Sequence, residues 1–505
     1  MVVVKMKVYN VNLGIGFASS GVEYAQAYRY QVLKDLGLEQ KYIFLDMVSS
    51  SSTYSLAENI GISSKDVLWF YDVLTGAYMR DSGLSLPVLK KKFEGYFIDD
   101  SNTSKVFLKL KEGTYIVAYE DKLNHLFYNR LEYVVDYCLV KKEYYAGFKV
   151  HSVEYYTPKD EKAYVYKREF FMSDGTVALT EFVKTLDDSS FFYNGQYYPT
   201  KESLFGVFLD KLGIQKDDWV LLDRSTGTAK ALFTRKQYLG FKLGVVVHAE
   251  HYVADGITDN GILFNNYYEY QFKNRNLVDA FICSTQKQAD LLSKQLDGFS
   301  KVFVAPAGYL EELKGGGFDD TRTKGKFVTV SRLSDEKNLD ILIKAFAVAN
   351  QGEVLSDGSQ LTLDIYGEGV ERSSLEKLIK DYNAESFITL KGHHKMDELY
   401  RGYSTYVSAS FAEGFGLSLM EAVGSGLFIV GYDVDYGNTN FVVEGRTGVL
   451  CPVDVDDRES DKNISMLAWG IRKAVSELDN YEFVYDVARK YLKPEVAKAW
   501  KELLK

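Results

Sequence analysis

Cysteine, proline and long apolar runs are all scarce in this chain. Its 505 residues include 3 cysteines and 6 prolines, and Cys138, Cys283 and Cys451 are far apart with no CxxC pair. Such a set argues against a disulfide framework or a structural zinc site and favours a reducing cytosol. No run approaches the roughly 20 apolar residues that span a bilayer, and Met1–Leu13 is expected to form a first strand, not a signal peptide. We therefore expect a soluble cytoplasmic protein, and peripheral attachment to the inner face of the membrane stays open.

Basic charge is also in short supply. The chain has 60 Lys and Arg against 70 Asp and Glu, a formal net charge of -10. A broad footprint on nucleic acid is not expected from this balance, so any nucleotide should bind in a local pocket. Aromatic residues are abundant instead, with 39 Tyr and 31 Phe. Tyr suits half-buried β-surfaces and wet interfaces.

The length predicts two or three domains, and changes in the residue pattern along the chain mark their boundaries. The first sixty residues resemble one βαβ unit: strand Val2–Val11, loop Gly14–Gly21, helix Val22–Leu36 and strand Lys41–Met47. We expect residues 1–70 and 201–318 to be two parts of an N-terminal Rossmann-like domain, interrupted by an inserted domain over 71–200. Residues 319–505 are expected to form a C-terminal Rossmann-like domain.

The predicted insert is an antiparallel β-meander. Asp174-Gly175 and Asn194-Gly195 are dipeptides that primed hairpin turns require. The predicted strands alternate aromatic and polar residues, at Lys105–Lys109, Thr114–Tyr119, Tyr133–Lys141, Phe148–Tyr156, Ala163–Phe171 and Phe191–Tyr198.

Alternating strands and helices resume at about Lys201, and Glu311–Lys326, with its three consecutive glycines, is predicted to be a linker. This alternation predicts an α/β fold with parallel sheets covered on both faces, and a ligand crevice beyond the carboxyl ends of the strands. The later strands are predicted at Trp219–Leu222, Leu243–His248, Ala280–Ser284, Val302–Ala305, Phe327–Ser331, Leu361–Tyr366, Phe387–Leu390, Thr405–Ser408 and Phe428–Gly431.

The strongest chemical signal is a pair of glutamates around a glycine-rich loop, Glu413-Gly414-Phe415-Gly416-Leu417 followed by Glu421. A helix should begin near Gly416, where unpaired N–H groups and the positive dipole end favour a phosphate. The two carboxylates can accept hydrogen bonds from sugar and ribose hydroxyls. The alternative is that Glu413 caps the helix and Glu421 is a surface residue.

A second signal, Arg332 to Asn338, follows the first strand of the C-terminal half. Arg332 can grip two phosphate oxygens and Lys337 acts as a point charge, so both can stabilise a departing diphosphate in the transition state. The alternative is that they pair with Asp335 and Glu336.

Three further features are weaker. Two glycine-containing loops can present amides to a phosphate or be simple tight turns. One contains Gly14 and Gly16, and the other is Tyr366-Gly367-Glu368-Gly369 with Gly367. His248 ends an apolar strand and should point into the crevice, unless it is a satisfied core histidine. No cluster has metal-ligand spacing, so we predict metal-independent catalysis with no cofactor beyond the sugar donor.

Together these motifs resemble retaining glycosyltransferase family 4 on the GT-B fold, two Rossmann-like domains facing a cleft. The opening segment, from Val8 to Arg29, is similar to that of the GtfA group of this family, which begins O-glycosylation of serine-rich repeat adhesins. The resemblance implies catalytic roles for His248, Arg332, Lys337 and Glu413. It implies donor contacts from Gly14, Gly16, Asn338, Gly367, Gly414, Phe415, Gly416, Leu417 and Glu421.

The resemblance also implies the substrates and partner. The donor is a UDP-sugar, most often UDP-N-acetylglucosamine, with UDP-glucose as the alternative. The acceptor is Ser or Thr of an unfolded repeat before export, and the insert binds it and docks a non-catalytic GtfB-type subunit. One departure is Tyr436-Gly437-Asn438, which stands where many relatives carry a Glu after their glycine loop. A wall teichoic acid glycosyltransferase and a non-catalytic binding module are the alternative functions.

Overall fold

In the computed structural model, the chain divides into two units. The first comprises Met1–Val246 and Asn266–Asp279, and the second comprises Val247–Asn265 and Ala280–Lys505. The three consecutive glycines of the predicted linker, Gly315–Gly317, and the predicted domain boundary at residue 318 lie outside the described residues. The described ranges are 6–17, 19–48, 51–77, 83–102, 104–159, 162–185, 188–225, 227–258, 261–314, 322–352, 355, 358, 360–396, 399–458, 460–477 and 480–505.

The first unit combines a parallel sheet with a large antiparallel one. Its strands are β1 (Lys7–Asn12), β2 (Glu39–Phe44), β3 (Val67–Trp69), β4 (Phe97–Asp99), β5 (Lys105–Lys111), β6 (Thr114–Glu120), β7 (Tyr128–Val135), β8 (Cys138–Ala146), β9 (Lys149–Lys159), β10 (Lys162–Phe171), β11 (Val177–Thr185), β12 (Asp188–Tyr193), β13 (Gln196–Tyr198), β14 (Trp219–Leu222) and β15 (Lys242–Val247). Its helices are α1 (Gly21–Asp35), α2 (Thr53–Asn59), α3 (Phe70–Thr75), α4 (Leu86–Lys92), α5 (Lys201–Leu212), α6 (Ala229–Leu239) and α7 (Glu269–Lys273).

The parallel strands of this unit run in the order β15-β14-β1-β2-β3. Helix α1 starts with a capping box, in which the Ser20 hydroxyl accepts from Val22 N–H and the Glu23 carboxylate accepts from Ser20 N–H. Such a box satisfies backbone donors that the first turn of a helix leaves unpaired. The predicted βαβ start is confirmed, and the part of the first predicted strand before residue 6 lies outside the described residues.

The antiparallel sheet is a meander in the order β13-β12-β11-β10-β9-β8-β7-β6-β5-β4. The sequence interpretation of Tyr133–Lys141 as one strand is wrong, because β7 ends at Val135 and β8 begins at Cys138. The turn uses Asp136 and Tyr137 with φ of 46° and 64°. This left-handed conformation is unusual away from glycine, so the sequence carried no turn signal there.

The two predicted hairpin turns differ from each other. Asn194 and Gly195 both have positive φ, 50° and 75°, as a primed turn requires. At the other turn only Gly175 is left-handed, and its N–H bonds the carbonyl of Met172. That three-residue loop has the type I turn and glycine bulge of longer hairpins, so the primed assignment at Asp174 is wrong.

A row of alternating charges crosses the middle of this meander. Register pairs Glu132 with Lys142, Lys142 with Glu154, Glu154 with Arg168, and Arg168 with Glu181. Arg168 binds both neighbours, with Nε 2.8 Å from Glu154 and Nη1 3.2 Å from Glu181. Opposite charges on adjacent strands stabilise a sheet, and this row pins the strand register.

The second unit is a doubly wound α/β unit. Its strands are β16 (Tyr252–Thr258), β17 (Gly261–Phe264), β18 (Ala280–Cys283), β19 (Val302–Val304), β20 (Thr323–Val330), β21 (Thr362–Tyr366), β22 (Ile388–Gly392), β23 (Tyr403–Ser408), β24 (Phe428–Tyr432) and β25 (Gly448–Cys451). Its helices are α8 (Gln286–Gln295), α9 (Leu339–Ala349), α10 (Arg372–Asp381), α11 (Leu417–Gly424), α12 (Gly437–Phe441), α13 (Asp461–Glu477), α14 (Glu482–Ala488) and α15 (Lys493–Leu503).

Six parallel strands of this unit form one sheet in the order β22-β21-β20-β23-β24-β25, and β18 pairs in parallel with β19 outside this sheet. Strand β20 begins at Thr323, so the last part of the predicted linker, Thr323–Lys326, is strand instead. The loops after β20, β21, β23 and β24 meet at the carboxyl edge of the sheet, where open α/β sheets bind ligands. Within the described residues, no helix combines the length and apolar character needed to cross a bilayer.

Candidate functional site

The loops at the carboxyl edge of the second sheet pack backbone to backbone. A Cβ on Gly367, whose φ is 141°, would lie 1.8 Å from the Ser331 carbonyl oxygen. Leu333 N–H donates to the Glu368 carbonyl at 3.0 Å. Gly367 therefore lets the loop after β21 lie directly against the loop that carries Arg332.

The central contact of the site joins Lys337 to Glu413. Lys337 Nζ lies 2.7 Å from Glu413 Oε2, and the two side chains are 19% and 23% exposed. Burial lowers the pKa of Lys337, but the attraction of the Glu413 carboxylate outweighs it, so the net shift is upward. The site thus holds a charged ammonium beside a carboxylate at the edge where a donor would bind.

Arg332 is more exposed and pairs locally. Its Nη2 lies 2.7 Å from Glu336 Oε1, four residues on, and the two side chains are 56% and 54% exposed. This is the acid pairing that the sequence left open for Arg332. Exposed pairs of this kind contribute little, so the guanidinium can exchange Glu336 for a phosphate at small cost.

Asn338 is buried, and its side chain bonds other parts of the protein. Its Nδ2 donates to the Ala409 carbonyl at 2.9 Å, and its Oδ1 accepts from Arg458 Nε at 2.6 Å. Arg458 also lies 3.0 Å from Asp335. Asn338 therefore ties the Lys337 loop to the chain just before Glu413, and Arg458 is a support that sequence reasoning missed.

The paired-glutamate loop leads into α11 as predicted. Gly416 is the N-cap of this helix with φ of 86°, and a Cβ there would lie 2.5 Å from Leu419. Phe415 is buried against Phe441 and Tyr491, at centroid distances of 5.4 and 5.6 Å, and so anchors the loop through its ring. Leu417, the first helical residue, is half-buried.

Glu421 projects from α11 eight residues after Glu413. Its Oε2 accepts from the Tyr400 hydroxyl at 3.3 Å, a partner that the sequence pattern did not reveal. Glu421 is half-buried, and a carboxylate can accept more than one hydrogen bond.

His248 lies beside this loop within the second unit. A Cβ on Gly414 would lie 2.0 Å from the His248 carbonyl oxygen, so the two backbones are in direct contact. His251, three residues on, is fully buried, and its Nε2 is 2.7 Å from Gln295 Oε1. Burial lowers the pKa of His251 to about 4, so it is neutral at neutral pH.

Gly14 and Gly16 belong to the first unit and line a cavity of about 440 Å³. A Cβ on Gly14 would lie 3.3 Å from the Cβ of Asp46, so the loop passes close to that side chain. Glu23 and Arg224 also line the cavity. In the described part of the chain, no three His, Cys, Asp or Glu side chains are grouped so as to hold a metal ion.

Sequence models of two families match the chain. Glycosyl transferases group 1 matches residues 319–477, which include the whole Lys337–Glu413 site. The GtfA extended beta-sheet domain matches residues 98–195, which correspond to the antiparallel meander.

Full-length relatives extend these matches. The chain is 38% identical to the UDP-N-acetylglucosamine–peptide N-acetylglucosaminyltransferase GtfA subunit of Streptococcus agalactiae, over 99% of this chain and 98% of that protein. The structure of the pneumococcal O-GlcNAc transferase GtfA in complex with UDP and GlcNAc matches with a TM-score of 0.88, 34% identity and 99% coverage of both chains. A GtfA/B complex matches with a TM-score of 0.81, 35% identity and 99% coverage of both chains.

The fold prediction is therefore confirmed: the second unit carries its paired-glutamate motif at the sheet edge, and the whole chain aligns with GT-B glycosyltransferases. With this identity over nearly its full length, the chain belongs to the GtfA family of glycosyltransferases.

Proposed function

We propose that this chain transfers N-acetylglucosamine from UDP-N-acetylglucosamine to Ser or Thr hydroxyls of a serine-rich repeat adhesin, in the cytoplasm before export. The observation that carries the proposal is the 2.7 Å contact between Lys337 and Glu413 at the carboxyl edge of the second sheet. This contact places a cation for a leaving diphosphate beside an acceptor for sugar hydroxyls. The name of the full-length relative from Streptococcus agalactiae specifies the same donor and the same transferred sugar.

Donor binding divides among the loops of this edge. Lys337 and Arg332 hold the two phosphates, because both carry positive charge and Arg332 can form two parallel hydrogen bonds. Glu421 accepts from the ribose and Glu413 from the transferred sugar. Gly414 and Gly416 keep the loop free of side chains where the donor passes, and the first amides of α11 face the phosphates.

The transfer itself follows the retaining course of glycosyltransferase family 4. The bond from sugar C1 to the β-phosphate oxygen breaks, and a bond from the acceptor Ser or Thr oxygen to C1 forms on the same face. The acceptor proton passes to the departing phosphate oxygen. Lys337 and Arg332 stabilise the charge that grows on UDP without a metal ion, and this stabilisation counts most in the transition state.

The antiparallel meander supplies the partner and acceptor surfaces in this proposal. It corresponds to the GtfA extended beta-sheet domain, and its outer face exposes aromatic side chains such as Phe182, Phe192 and Tyr197. Exposed aromatic groups on a regular sheet are typical of protein interfaces. We propose that this meander, predicted over 71–200, binds a GtfB-type subunit and the unfolded repeat.

The test is mass spectrometry of a serine-rich repeat segment incubated with this chain, with and without a GtfB-type subunit. UDP-N-acetylglucosamine and UDP-glucose are supplied separately. A gain of one N-acetylhexosamine supports the proposal, and a gain of one hexose only would replace the donor with UDP-glucose. Transfer to polyribitol phosphate, with none to the peptide, would replace the acceptor with a wall polymer. Undiminished transfer by Glu421→Gln would overturn its ribose role.

A further inference from the structure

Tyr436 occupies the most unusual backbone conformation next to the site. Its φ and ψ are 69° and −71°, and Gly437 N–H donates to the Asp435 carbonyl at 3.0 Å, which closes a γ-turn on Tyr436. A γ-turn with positive φ is rare and strained, above all for a bulky residue. Strain of this kind persists only where the surroundings enforce it, and it concentrates at functional sites.

This turn is joined directly to Glu413. Gly437 N–H is shared, because it also donates to the Glu413 carbonyl at 3.0 Å. Glu413 and Tyr436 form a parallel bridge, and a Cβ on Gly437 would lie 2.5 Å from the Cβ of Glu413. The position of the Glu413 backbone is therefore set by the turn at Tyr436.

His251 holds the turn from the other side. The ring of Tyr436 is fully buried and stacks on His251 at a centroid distance of 6.0 Å and an angle of 27°. The Tyr436 hydroxyl lies 3.4 Å from His251 Nδ1, while His251 Nε2 is 2.7 Å from Gln295 Oε1. In this arrangement Nε2–H donates to Gln295 and Nδ1 accepts from Tyr436.

The neighbouring residues are clamped in the same way. The Tyr252 hydroxyl lies 3.3 Å from Asp435 Oδ2, and Lys287 Nζ lies 2.7 Å from Asp435 Oδ1. Two consecutive residues, His251 and Tyr252, thus hold two consecutive residues of the loop after β24. The same segment contacts the site through the His248 carbonyl against Gly414.

We propose that Tyr436 and His251 are positioning residues, which hold a strained γ-turn so that Glu413 meets the donor sugar and Lys337 in the reactive geometry. This inference rests on the role of Glu413 in the proposed function. Neither residue needs to contact the substrate, and their effect on transfer runs through the Gly437 N–H to Glu413 contact.

The test compares Tyr436→Gly with Tyr436→Ala in the full chain with its GtfB-type subunit. Glycine adopts positive φ without strain and alanine does not, so the Gly variant should have the higher melting temperature. Both lose the buried ring that orients the turn. We expect kcat for N-acetylglucosamine transfer from UDP-N-acetylglucosamine to fall on the order of 100-fold in both, with KM for the donor changed less than about 3-fold.

Two further variants separate positioning from folding. Tyr436→Phe keeps the ring stack and should retain transfer within about 5-fold, as the conservative rescue. His251→Gln removes the ring against which Tyr436 stacks, so it should lower kcat as the Tyr436→Gly and Tyr436→Ala variants do. The matched control is Tyr382→Ala, an exposed tyrosine of the same unit, which should transfer at the rate of the unmodified chain.

A double-mutant cycle tests the route through Glu413. In the Glu413→Gln background, Tyr436→Gly should cause little further loss, because the group that it positions is already altered. If Tyr436→Gly regains kcat as well as stability relative to Tyr436→Ala, the positioning role is overturned and only a folding role is left. Full transfer by Glu413→Gln would overturn the role of Glu413 on which this inference rests. Failure of the unmodified chain to transfer N-acetylglucosamine to the peptide would overturn the proposed function, so the two failures are distinguishable.

Discussion

Lys337 and Glu413 are separated by 76 residues, yet their Nζ and Oε2 atoms lie 2.7 Å apart. They come from loops after β20 and β23, which are adjacent strands, so their contact depends on strand order. The Glu413 carboxylate raises the pKa of Lys337 and so keeps its ammonium charged, although both side chains are largely removed from water. A donor diphosphate arriving at this edge would meet an ammonium that is already oriented.

This pair gives the first prediction. Glu413→Gln keeps the shape of the side chain but removes its charge, so we expect kcat for transfer to fall about 100-fold while UDP affinity changes little. Lys337→Met should weaken UDP binding as well as kcat. Steady-state kinetics and calorimetric UDP titration measure both effects. The matched control is Lys344→Met, whose lysine pairs with Asp340 on the same unit. Equal losses in this control would contradict a specific role for Lys337.

The second prediction concerns the support under Lys337. Arg458 binds both Asn338 and Asp335, and Asn338 in turn bonds the Ala409 carbonyl. Arg458→Met should leave Asn338 in place but loosen its loop, so kcat falls by roughly 10-fold. Asn338→Ala should cost more, because the buried Ala409 carbonyl then loses its partner. Kinetics with a melting curve distinguish the two, and an Arg458→Met variant as active as the parent would refute the bracing role.

The third prediction is steric. A Cβ on Gly414 would lie 2.0 Å from the His248 carbonyl oxygen, whereas nothing lies within 4 Å of one on Gly402. Gly414→Ala must displace the loop next to Glu413, so transfer should fall by on the order of 100-fold. Gly402→Ala should leave transfer unchanged. The two are measured side by side in the peptide assay. A mild effect at Gly414 would mean that the backbone contact with His248 tolerates movement.

Much of the local structure of this site could be predicted from the sequence because it lies in contiguous motifs. The predicted start of α11 near Gly416 and the loop placement of Glu413 follow from local rules, since glycines and a strand end mark them. The catalytic and donor-binding roles of the site residues, those of Lys337 and Glu413 included, stay predictions.

The supports could not be predicted, because they depend on residues distant in the chain. Arg458 reaches Asn338 across 120 residues, and His251 stacks on Tyr436 across 185. Nothing local to Tyr436 signals a positive φ, since tyrosine rarely adopts it. The missed turn at Asp136 has the same cause, because its neighbour Tyr137 replaces the glycine that would mark it.

The fourth prediction concerns the charge row of the meander. Arg168 lies between Glu154 and Glu181, and all three side chains are nearly buried. Arg168→Met leaves two buried carboxylates without their shared cation, so the free energy of unfolding of the first unit should fall by about 3–5 kcal/mol. Lys184→Met, which breaks an exposed pair with Asp188, should change nothing measurable. Urea denaturation followed by tryptophan fluorescence reports both, and a small effect at Arg168 would show that water reaches the two carboxylates.

The last prediction is a pH dependence centred on His251. Burial lowers its pKa from 6.5 to about 4, so the unfolded chain binds a proton there that the folded chain does not. The stability that His251 contributes is present above pH 6.5 and is lost as the pH falls towards 4, by about 3 kcal/mol in total. His251→Gln has no such titration. Its deficit in unfolding free energy relative to the parent should therefore be largest at pH 7.5 and shrink on acidification.

Glu250 should give the opposite dependence of unfolding free energy on pH, and it therefore provides the control. Burial and the nearby Asp435 carboxylate raise the pKa of Glu250 from 4.5 to about 7. Its contribution to stability is complete below pH 4.5 and is lost as the pH rises through 7, because here the folded chain binds the extra proton. Relative to the parent, Glu250→Gln should thus gain as the pH rises, while His251→Gln should lose. Urea denaturation between pH 4.5 and 7.5 measures both differences. Two parallel, pH-independent offsets would mean that neither group changes its affinity for protons on folding.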